Sequence, residues 1–306
     1  MNYKIAVFGV KDTSEYMANY LAEHGHKPGL MITIDEAVAS RNDISGLCDL
    51  SAVAGRLGMD IYKAPDYSLS DEKTKKFFAE NSFDIGISMG WQRIIPGYIL
   101  NAFRTGIYGF HGSCGHLPYG RGRSPLNWTV IKGDTRFINH FFKYSEVADW
   151  GSIYSVRAFE VNPHDTIRTL QYKAMLAGCA QALELVKNGG GGGLSDFKFD
   201  EGAATWYQKR TAADGKITFD MKTRQIYNLV RGVTKPFPGA FMECGDLRVQ
   251  VWQVYPFDQM LDFSKYQNGE IIEIFDNNPI MKTVDGSIIV TSYESPRALT
   301  KGMRFQ

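Results

Sequence analysis

The sequence lacks several features that mark particular protein classes. Its four cysteines are spread along the 306 residues and form no CxxC pair, which argues against a zinc site and a disulfide framework. It has no run of about 18 apolar residues, so no membrane span is predicted. Basic and acidic residues nearly balance, at 34 and 33. A surplus this small argues against a large nucleic-acid partner and leaves small ligands open.

The remaining composition is that of a globular protein. Hydrophobic residues make up 44% and charged residues 22%, and 306 residues suggest two domains more readily than one. The start, MNYKIAVFGV, predicts a first strand rather than a signal peptide, because its apolar run is short and no small-residue cleavage site follows. We therefore expect a protein of the cytoplasm.

The first half of the chain alternates predicted strands with predicted helices. The strands are expected at 5–8, 30–34, 61–62, 83–88 and 107–110, and the helices at 12–24, 50–57, 70–78 and 96–103. This alternation is typical of parallel βαβ units with helices on both faces of a sheet. Ligands bind beyond the carboxyl ends of such strands, so the ends of the fourth and fifth strands are the places to examine.

The second half divides near a run of five glycines. Asn162-Pro163-x-Asp165 predicts the start of a long helix that stops at Asn188, and residues 189–193 predict a flexible link. We place the domain boundary near residue 200, giving domains 1–200 and 201–306. Beyond it, a helix at 223–231 and strands at 247–254, 270–274 and 287–291 predict a small β domain.

Three polar segments lie where the predicted fold would bind a ligand. The loop after the first strand, which contains Lys11, can bind an anion through backbone N–H groups. His111 follows the fifth strand, and close behind it Arg121 and Arg123 can hold a phosphate or carboxylate. Asp149 lies in a turn between two strands, and its spacing alone does not pair it with His111.

These motifs, in this order, resemble a known family. They are His111-Gly-Ser, then Leu117-Pro-Tyr-Gly-Arg-Gly-Arg-Ser-Pro-Leu-Asn-Trp128, then Ala148-Asp-Trp-Gly-Ser-Ile153. The chain resembles the folate-dependent formyltransferases, and the likeness continues through Ile226-Tyr-Asn-Leu-Val-Arg231 and Lys235-Pro-Phe-Pro-Gly-Ala-Phe241. This later stretch is similar to methionyl-tRNA formyltransferase and more similar to the domain acting on nucleotide-linked 4-amino-arabinose.

The resemblance implies a fold, a reaction and an active site. It implies a Rossmann-like α/β domain with a parallel sheet, followed by an OB-like barrel domain. The reaction would move a formyl group from 10-formyltetrahydrofolate to an amine, without a metal. The family's site is an Asn-x-His pair plus a later Asp, which here match Gly109, His111 and Asp149. Glycine at position 109 departs from the family pattern.

The chemistry suggests a role for each of these positions. His111 would take or relay a proton, or stabilise the oxyanion as imidazolium, while Asp149 would favour the charged ring. Gly109 has no side chain to donate to the oxyanion. Strand alternation places His140, Phe142 and Tyr144 on one face, and His140 either donates in place of the asparagine or is a packed histidine.

The remaining expected site residues surround folate and acceptor. The segment at the end of the fourth strand and the loop before Asp149 would enclose the folate through Met89, Trp91, Arg93, Ile94, Ile95, Leu100 and Val147. The acceptor would contact Lys11, Ser113, Arg121 and Arg123.

The function predicted from the sequence is sugar N-formylation. The acceptor would be a nucleotide-linked amino sugar or an amino nonulosonic acid, in the biosynthesis of a surface polysaccharide. Nucleic acid and membrane are not expected as partners, and a homodimer is left open. The alternatives are methionyl-tRNA formyltransferase, a 10-formyltetrahydrofolate hydrolase in keeping with Gly109, and a binding protein without activity.

Overall fold

Strands and helices alternate through the first half of the chain, as the sequence predicts. The structure is a computed structural model that describes residues 3–42, 44, 46–193 and 200–306. The strands and helices up to residue 187 are β1 Ile5–Phe8, α1 Asp12–Glu23, β2 Leu30–Ile34, α2 Glu36–Arg41, α3 Ser51–Leu57, β3 Asp60–Ala64, α4 Glu72–Glu80, β4 Phe83–Ser88, α5 Gly97–Leu100, β5 Phe103–Ser113, β6 Arg121–Gly122, α6 Pro125–Lys132, β7 Arg136–Lys143, β8 Ile153–Glu160 and α7 Ile167–Lys187.

The described residues form two compact units. The first takes in those of 1–122, 138–159 and 173–205, and the second those of 123–137, 160–172 and 206–306. The first unit is built on a seven-stranded sheet of order β3-β2-β1-β4-β5-β7-β8. The pairs from β3 to β5 are parallel, whereas β5 and β7 are antiparallel. The sheet is therefore the predicted parallel sheet with an antiparallel addition at one edge.

Alternate residues of the central strands pack on opposite faces of this sheet. In β1, Ala6 and Phe8 belong to one apolar cluster, whereas Ile5 and Val7 pack against helices on the other side. All four residues are buried. A strand that is apolar on both faces needs cover on both faces, and the βαβ crossovers provide it. This explains why the short run Ile5–Phe8 is sufficient to identify a central strand.

Several boundaries differ from the sequence prediction. β5 runs from Phe103 to Ser113, so His111 lies within the strand rather than after it. Helix α5 ends at Leu100, and helix α2, with Asp35 as its N-cap, was not predicted. Helix α7 begins at Ile167 because Asp165 accepts a bond from the Asn162 N–H and so closes a turn before the helix.

The second unit contains a five-stranded antiparallel sheet of order β10-β11-β14-β13-β12. Its later elements are β9 Trp206–Tyr207, α8 Thr223–Val233, β10 Ala240–Cys244, β11 Leu247–Asp258, β12 Ile271–Phe275, β13 Asn278–Thr283 and β14 Gly286–Glu294. Helix α8 packs Ile226 and Val230 into the sheet's apolar core. The predicted small β domain is present, with β10 and β13 added to the three expected strands.

Two further findings concern the chain as a whole. The predicted link at residues 189–193 contains no helix or strand, and residues 194–199, which lie between it and the predicted boundary, are outside the described residues. The boundary near residue 200 stays a prediction. Within the described part, no helix is both long and apolar enough to cross a membrane.

Candidate active site

The end of β4 lies against the start of α1. Ser14 donates a hydrogen bond from its hydroxyl to the backbone carbonyl of Met89. A Cβ at position 9 would overlap both groups, so glycine is required where β1 turns into the helix. Lys11 is partly buried beside this turn, and burial lowers the pKa of its amine although Asp12 opposes the shift. The geometry fixes the loop after β4 next to the N-terminus of α1.

His111 and Asp149 form a hydrogen-bonded pair. The Nδ1 atom of His111 lies 3.1 Å from an Oδ1 atom of Asp149, and its Nε2 atom lies 2.8 Å from the carbonyl oxygen of Gly120. A carbonyl oxygen and a carboxylate oxygen both accept hydrogen bonds. An imidazolium, with a hydrogen on each nitrogen, therefore satisfies both partners at once. Sequence spacing did not establish this pairing, which depends on the β7–β8 connection folding back over β5.

The surroundings of Asp149 favour its charged form. Burial alone would raise the pKa of this carboxyl, but the hydrogen bond and charge of His111 oppose it. The backbone N–H of Gly122, 2.9 Å from Oδ2, and the charge of Arg121 act in the same direction as His111. The pKa of Asp149 is consequently held below its ordinary value. The carboxylate is ionised at neutral pH and faces the Nδ1 atom of His111.

The backbone of Asp149 adopts the left-handed conformation, with φ of 53°. Among non-glycine residues, aspartate and asparagine accept this conformation most readily. The turn is closed by Ser145, whose hydroxyl donates to the carbonyl of Trp150. The local sequence therefore suits a turn that directs a carboxylate towards the sheet.

His140 is the residue opposite His111 in the β5–β7 ladder. It is 0% exposed, and its Nε2 atom accepts a hydrogen bond from the Leu117 N–H at 3.4 Å, with the Nδ1 atom of His116 at 3.3 Å. Its own Nδ1 atom has no hydrogen-bond partner among the described residues. Burial, with the charges of His116 and His111, lowers the pKa of His140 to about 4. His140 is therefore neutral and carries its hydrogen on Nδ1.

Tyr144 occupies the space beside Gly109. A Cβ at position 109 would overlap the phenolic oxygen and the ring of Tyr144. Burial raises the pKa of this phenol to about 12, with a smaller opposing effect from the Ser88 hydroxyl. Strand alternation places Tyr144 on the same face as His140 but indicates no role for it. The signal that could have found it is the pairing of a glycine on one strand with a large polar residue on that face of the next.

The expected folate residues divide into buried and exposed groups. Trp91 and Ile95 are buried, Met89 and Leu100 are partly buried, and Arg93 lies over the ring of Tyr67 at 5.2 Å. Ile94 and Val147, in contrast, are 55% and 60% exposed.

The two loops that carry these exposed residues lie close together. A Cβ at position 97 would overlap the carboxylate of Glu146, so the loop after β4 and the loop before Asp149 approach each other at this point. Both loops belong to the first unit. Their exposed apolar residues, Ile94 and Val147, are the expected folate residues that remain open to a ligand.

The residues expected to bind the acceptor are engaged in different ways. Ser113 is buried and its hydroxyl lies 2.9 Å from the carbonyl of Tyr119, within the loop it closes. Arg121 is also buried, forms a two-pronged pair with Glu201 at 2.9 and 3.0 Å, and lies over the ring of Trp150. Arg123 is exposed and belongs to the second unit. An anion at Arg121 would have to compete with Glu201.

No cluster suited to a metal is found within the described ranges. Groups of three or more His, Cys, Asp or Glu side chains in the right arrangement are absent from them. The neighbouring histidines 111, 116 and 140 do not form such a group. The chemistry available at this edge of the sheet is that of histidine, carboxylate, phenol and backbone N–H groups.

Comparison with known proteins gives matches over both halves of the chain. Residues 3–183 match the family described as formyl transferase, and residues 209–300 match the formyl transferase C-terminal domain.

Three solved structures are similar to this chain over most of its length. HypX from Aquifex aeolicus in complex with tetrahydrofolic acid is 16% identical, with a TM-score of 0.65 over 97% of this chain and 45% of its own. The N-formyltransferase from Helicobacter canadensis, in complex with folinic acid and dTDP-3-aminofucose, is 15% identical, with a TM-score of 0.69 over 94% and 99%. Methionyl-tRNA formyltransferase from Clostridium thermocellum is 17% identical, with a TM-score of 0.60 over 95% and 97%.

These likenesses differ in how much of the other protein they cover. The chain spans less than half the length of HypX and nearly the full length of the other two proteins. At such low identities the three structures show a shared fold and leave the acceptor of this chain open.

Proposed function

Because the chain belongs to the formyl transferase family, we propose that it transfers a formyl group from 10-formyltetrahydrofolate to the amine of an amino sugar. The observation that carries the proposal is the His111–Asp149 pair, with Nδ1 and Oδ1 3.1 Å apart near the carboxyl end of the parallel sheet. A paired imidazole and carboxylate provide the proton-handling group that acyl transfer to an amine needs.

The loops beside this pair fit a folate. Ile94 and Val147 offer exposed apolar side chains to a flat ring system. The buried indole N–H of Trp91 has no hydrogen-bond partner in the described part of the chain, as expected of a group kept for a ligand. Solved relatives contain tetrahydrofolic acid or folinic acid, which supports the same co-substrate here. When bound, 10-formyltetrahydrofolate supplies the activated formyl group.

His111 and Asp149 then have different roles in the reaction. His111, paired with Asp149 through Nδ1, donates from Nε2 to the oxygen on which negative charge develops, and gives up its present contact with Gly120 to do so. Asp149 holds the ring in this orientation. The attacking amine loses one proton and the departing nitrogen gains one, and the His111–Asp149 pair relays that proton without net release.

An amino sugar suits this site better than a macromolecule. The net charge of +1 provides little attraction for tRNA. Lys11, whose pKa is lowered by burial, lies at the start of α1, where a helix N-terminus also favours an anion such as a nucleotide phosphate. The Helicobacter relative was solved with a nucleotide-linked amino sugar, which supports the same class of acceptor here.

The test is a product analysis with purified protein. We expect 10-formyltetrahydrofolate and the right member of a panel of nucleotide-linked amino sugars to give tetrahydrofolate and an N-formyl sugar in equal amounts by mass spectrometry. His111→Ala serves as the inactive control. Tetrahydrofolate released without any formylated sugar would indicate a hydrolase and overturn the proposal.

A second assay addresses methionyl-tRNA as the acceptor, a function the Clostridium relative carries in its name. We expect weak binding of initiator tRNA with a shallow dependence on salt, since few counterions are released by a nearly neutral protein. Tight binding that weakens steeply with salt in a gel-shift assay, together with formylation of charged tRNA, would replace the sugar with tRNA.

A further inference from the structure

Position 109 is the place where the reacting face of β5 has no side chain. Gly109 and His111 are two residues apart on one strand, so they share a face at a spacing of about 7 Å. The space above Gly109 is filled from the neighbouring strand, because a Cβ there would overlap the phenolic oxygen of Tyr144. A hydroxyl group therefore lies on the His111 side of the sheet.

The surroundings of that hydroxyl keep it a neutral donor. Burial and the charge of Asp149 raise the pKa of Tyr144, to about 12, against opposing effects of the Ser88 hydroxyl and the Phe110 backbone. The residue as a whole is only partly buried, whereas its hydroxyl is buried. A phenol that stays protonated at neutral pH can donate a hydrogen bond and cannot repel a developing negative charge.

We propose that Tyr144 donates a hydrogen bond to the formyl oxygen as it becomes negative, and so acts as a catalytic residue beside His111. The inference rests on the proposed function, because that reaction places charge on this oxygen. The phenol keeps its proton throughout, and the bonds made and broken are those of the formyl transfer itself. Two donors, one cationic and one neutral, then face the oxyanion from adjacent strands.

His140 is the competing donor, and its contacts favour Tyr144. The Nε2 atom of His140 is already engaged, since it accepts a hydrogen bond from the Leu117 N–H and lies near the Nδ1 atom of His116. It is fully buried beneath the loop that contains those residues. Tyr144, in contrast, stands in the space that a side chain at position 109 would use. His140 is better suited to supporting the loop at 116–117 than to contacting substrate.

The decisive variant is Tyr144→Phe, which keeps the ring and removes the hydroxyl. The rate of formyl transfer from 10-formyltetrahydrofolate to the amino sugar should fall by roughly a hundredfold to a thousandfold, as it does when an enzyme loses one oxyanion donor. The KM for folate should change little, because the hydrogen bond strengthens only in the transition state. The matched control is Tyr108→Phe, since Tyr108 is on the opposite face of β5 and donates to the carbonyl of Thr105.

Moving the donor side chain from position 144 to position 109 provides a second test. Gly109→Asn should slow formyl transfer in the wild-type chain, because the Cβ of the asparagine overlaps Tyr144. The same substitution should accelerate formyl transfer in the Tyr144→Ala variant, where the space is empty. Circular dichroism of each variant separates loss of fold from loss of rate. A Gly109→Asn/Tyr144→Ala protein faster than Tyr144→Ala supports a donor at this position.

The outcomes distinguish the two proposals. If the wild-type protein transfers the formyl group to a sugar and Tyr144→Phe does so equally fast, the role of Tyr144 is overturned while the proposed function stands. If the wild-type protein transfers no formyl group to a sugar, the proposed function fails and this inference fails with it. A slow Tyr144→Phe beside an unaffected Tyr108→Phe is the result we expect.

Discussion

The two faces of β5 differ as strongly as any two regions of the molecule. On one face, Tyr108 and Phe110 pack with Phe141 and the residues of α7 in an apolar cluster. On the other, Gly109 and His111 lie among Tyr144, His140 and Asp149. Neighbouring residues in the chain thus belong to a dry core and to a polar site.

The difference shows how one strand can contribute both to the stability of the apolar core and to the active site. The apolar face needs only residues of about the right size, because dispersion and burial are not directional. The polar face needs a partner for each donor and acceptor, and its partners come from a loop and an antiparallel strand. Substitutions on the two faces should therefore fail in different ways.

The largest effect is expected on the polar face, from the His111–Asp149 pair. His111→Ala and Asp149→Asn should each reduce turnover by roughly a hundredfold to ten-thousandfold, the range for a lost proton-transfer group. Asparagine is the better substitution at position 149 because it tolerates the φ of 53°. Steady-state kinetics provide the measurement and His24→Ala, an exposed histidine, the control. A near-normal rate in either variant would remove that residue from the mechanism.

A moderate effect on stability is expected from filling the space at position 109. Gly109→Ala should lower the free energy of unfolding by about 1–3 kcal/mol, the usual cost of overpacking, because its Cβ overlaps Tyr144. Gly55→Ala in α3 is the matched control, since nothing lies within 4 Å of its added Cβ. Urea unfolding compares the two. Equal stability of Gly109→Ala and wild type would mean that Tyr144 does not occupy this space.

At neutral pH the smallest effect is expected from the titration of His140, because its influence on stability begins only below pH 6.5. Its pKa is lowered to about 4, so between the ordinary pKa of 6.5 and that value the unfolded chain binds a proton that the folded chain does not. Stability should therefore fall as pH decreases from 6.5 to 4, by roughly 1 kcal/mol per pH unit. His140→Gln should flatten this dependence. Identical pH profiles of unfolding for variant and wild type would contradict the burial of a neutral ring.

The sequence was sufficient for the features that depend on local pattern. Runs such as Ile5–Phe8 identify buried strands, and the confirmed family and fold class follow from motifs that include His111-Gly-Ser and Ala148-Asp-Trp-Gly. Two of the similar solved structures, those of HypX and the Helicobacter N-formyltransferase, contain folates, in line with the predicted co-substrate.

Features that depend on pairing between distant segments could not be predicted. The overlap of Tyr144 with position 109 arises from the β5–β7 register, which no local pattern encodes. The contact of His111 with Asp149 was expected from the family resemblance alone, because it depends on the β7–β8 connection folding back over β5. Glu201 likewise reaches Arg121 from 80 residues away. The roles of the individual site residues, the cytoplasmic location and the part in polysaccharide biosynthesis stay predictions.

The most direct test is a crystal structure with a hydrolysis-resistant 10-formyl folate analogue. We predict that the ring system lies between Ile94 and Val147 and that the formyl oxygen lies within hydrogen-bonding distance of both His111 Nε2 and the Tyr144 hydroxyl. We also predict that His111 has exchanged the Gly120 carbonyl for that oxygen. An analogue bound away from this face of β5, or a formyl group out of reach of His111, would contradict the account.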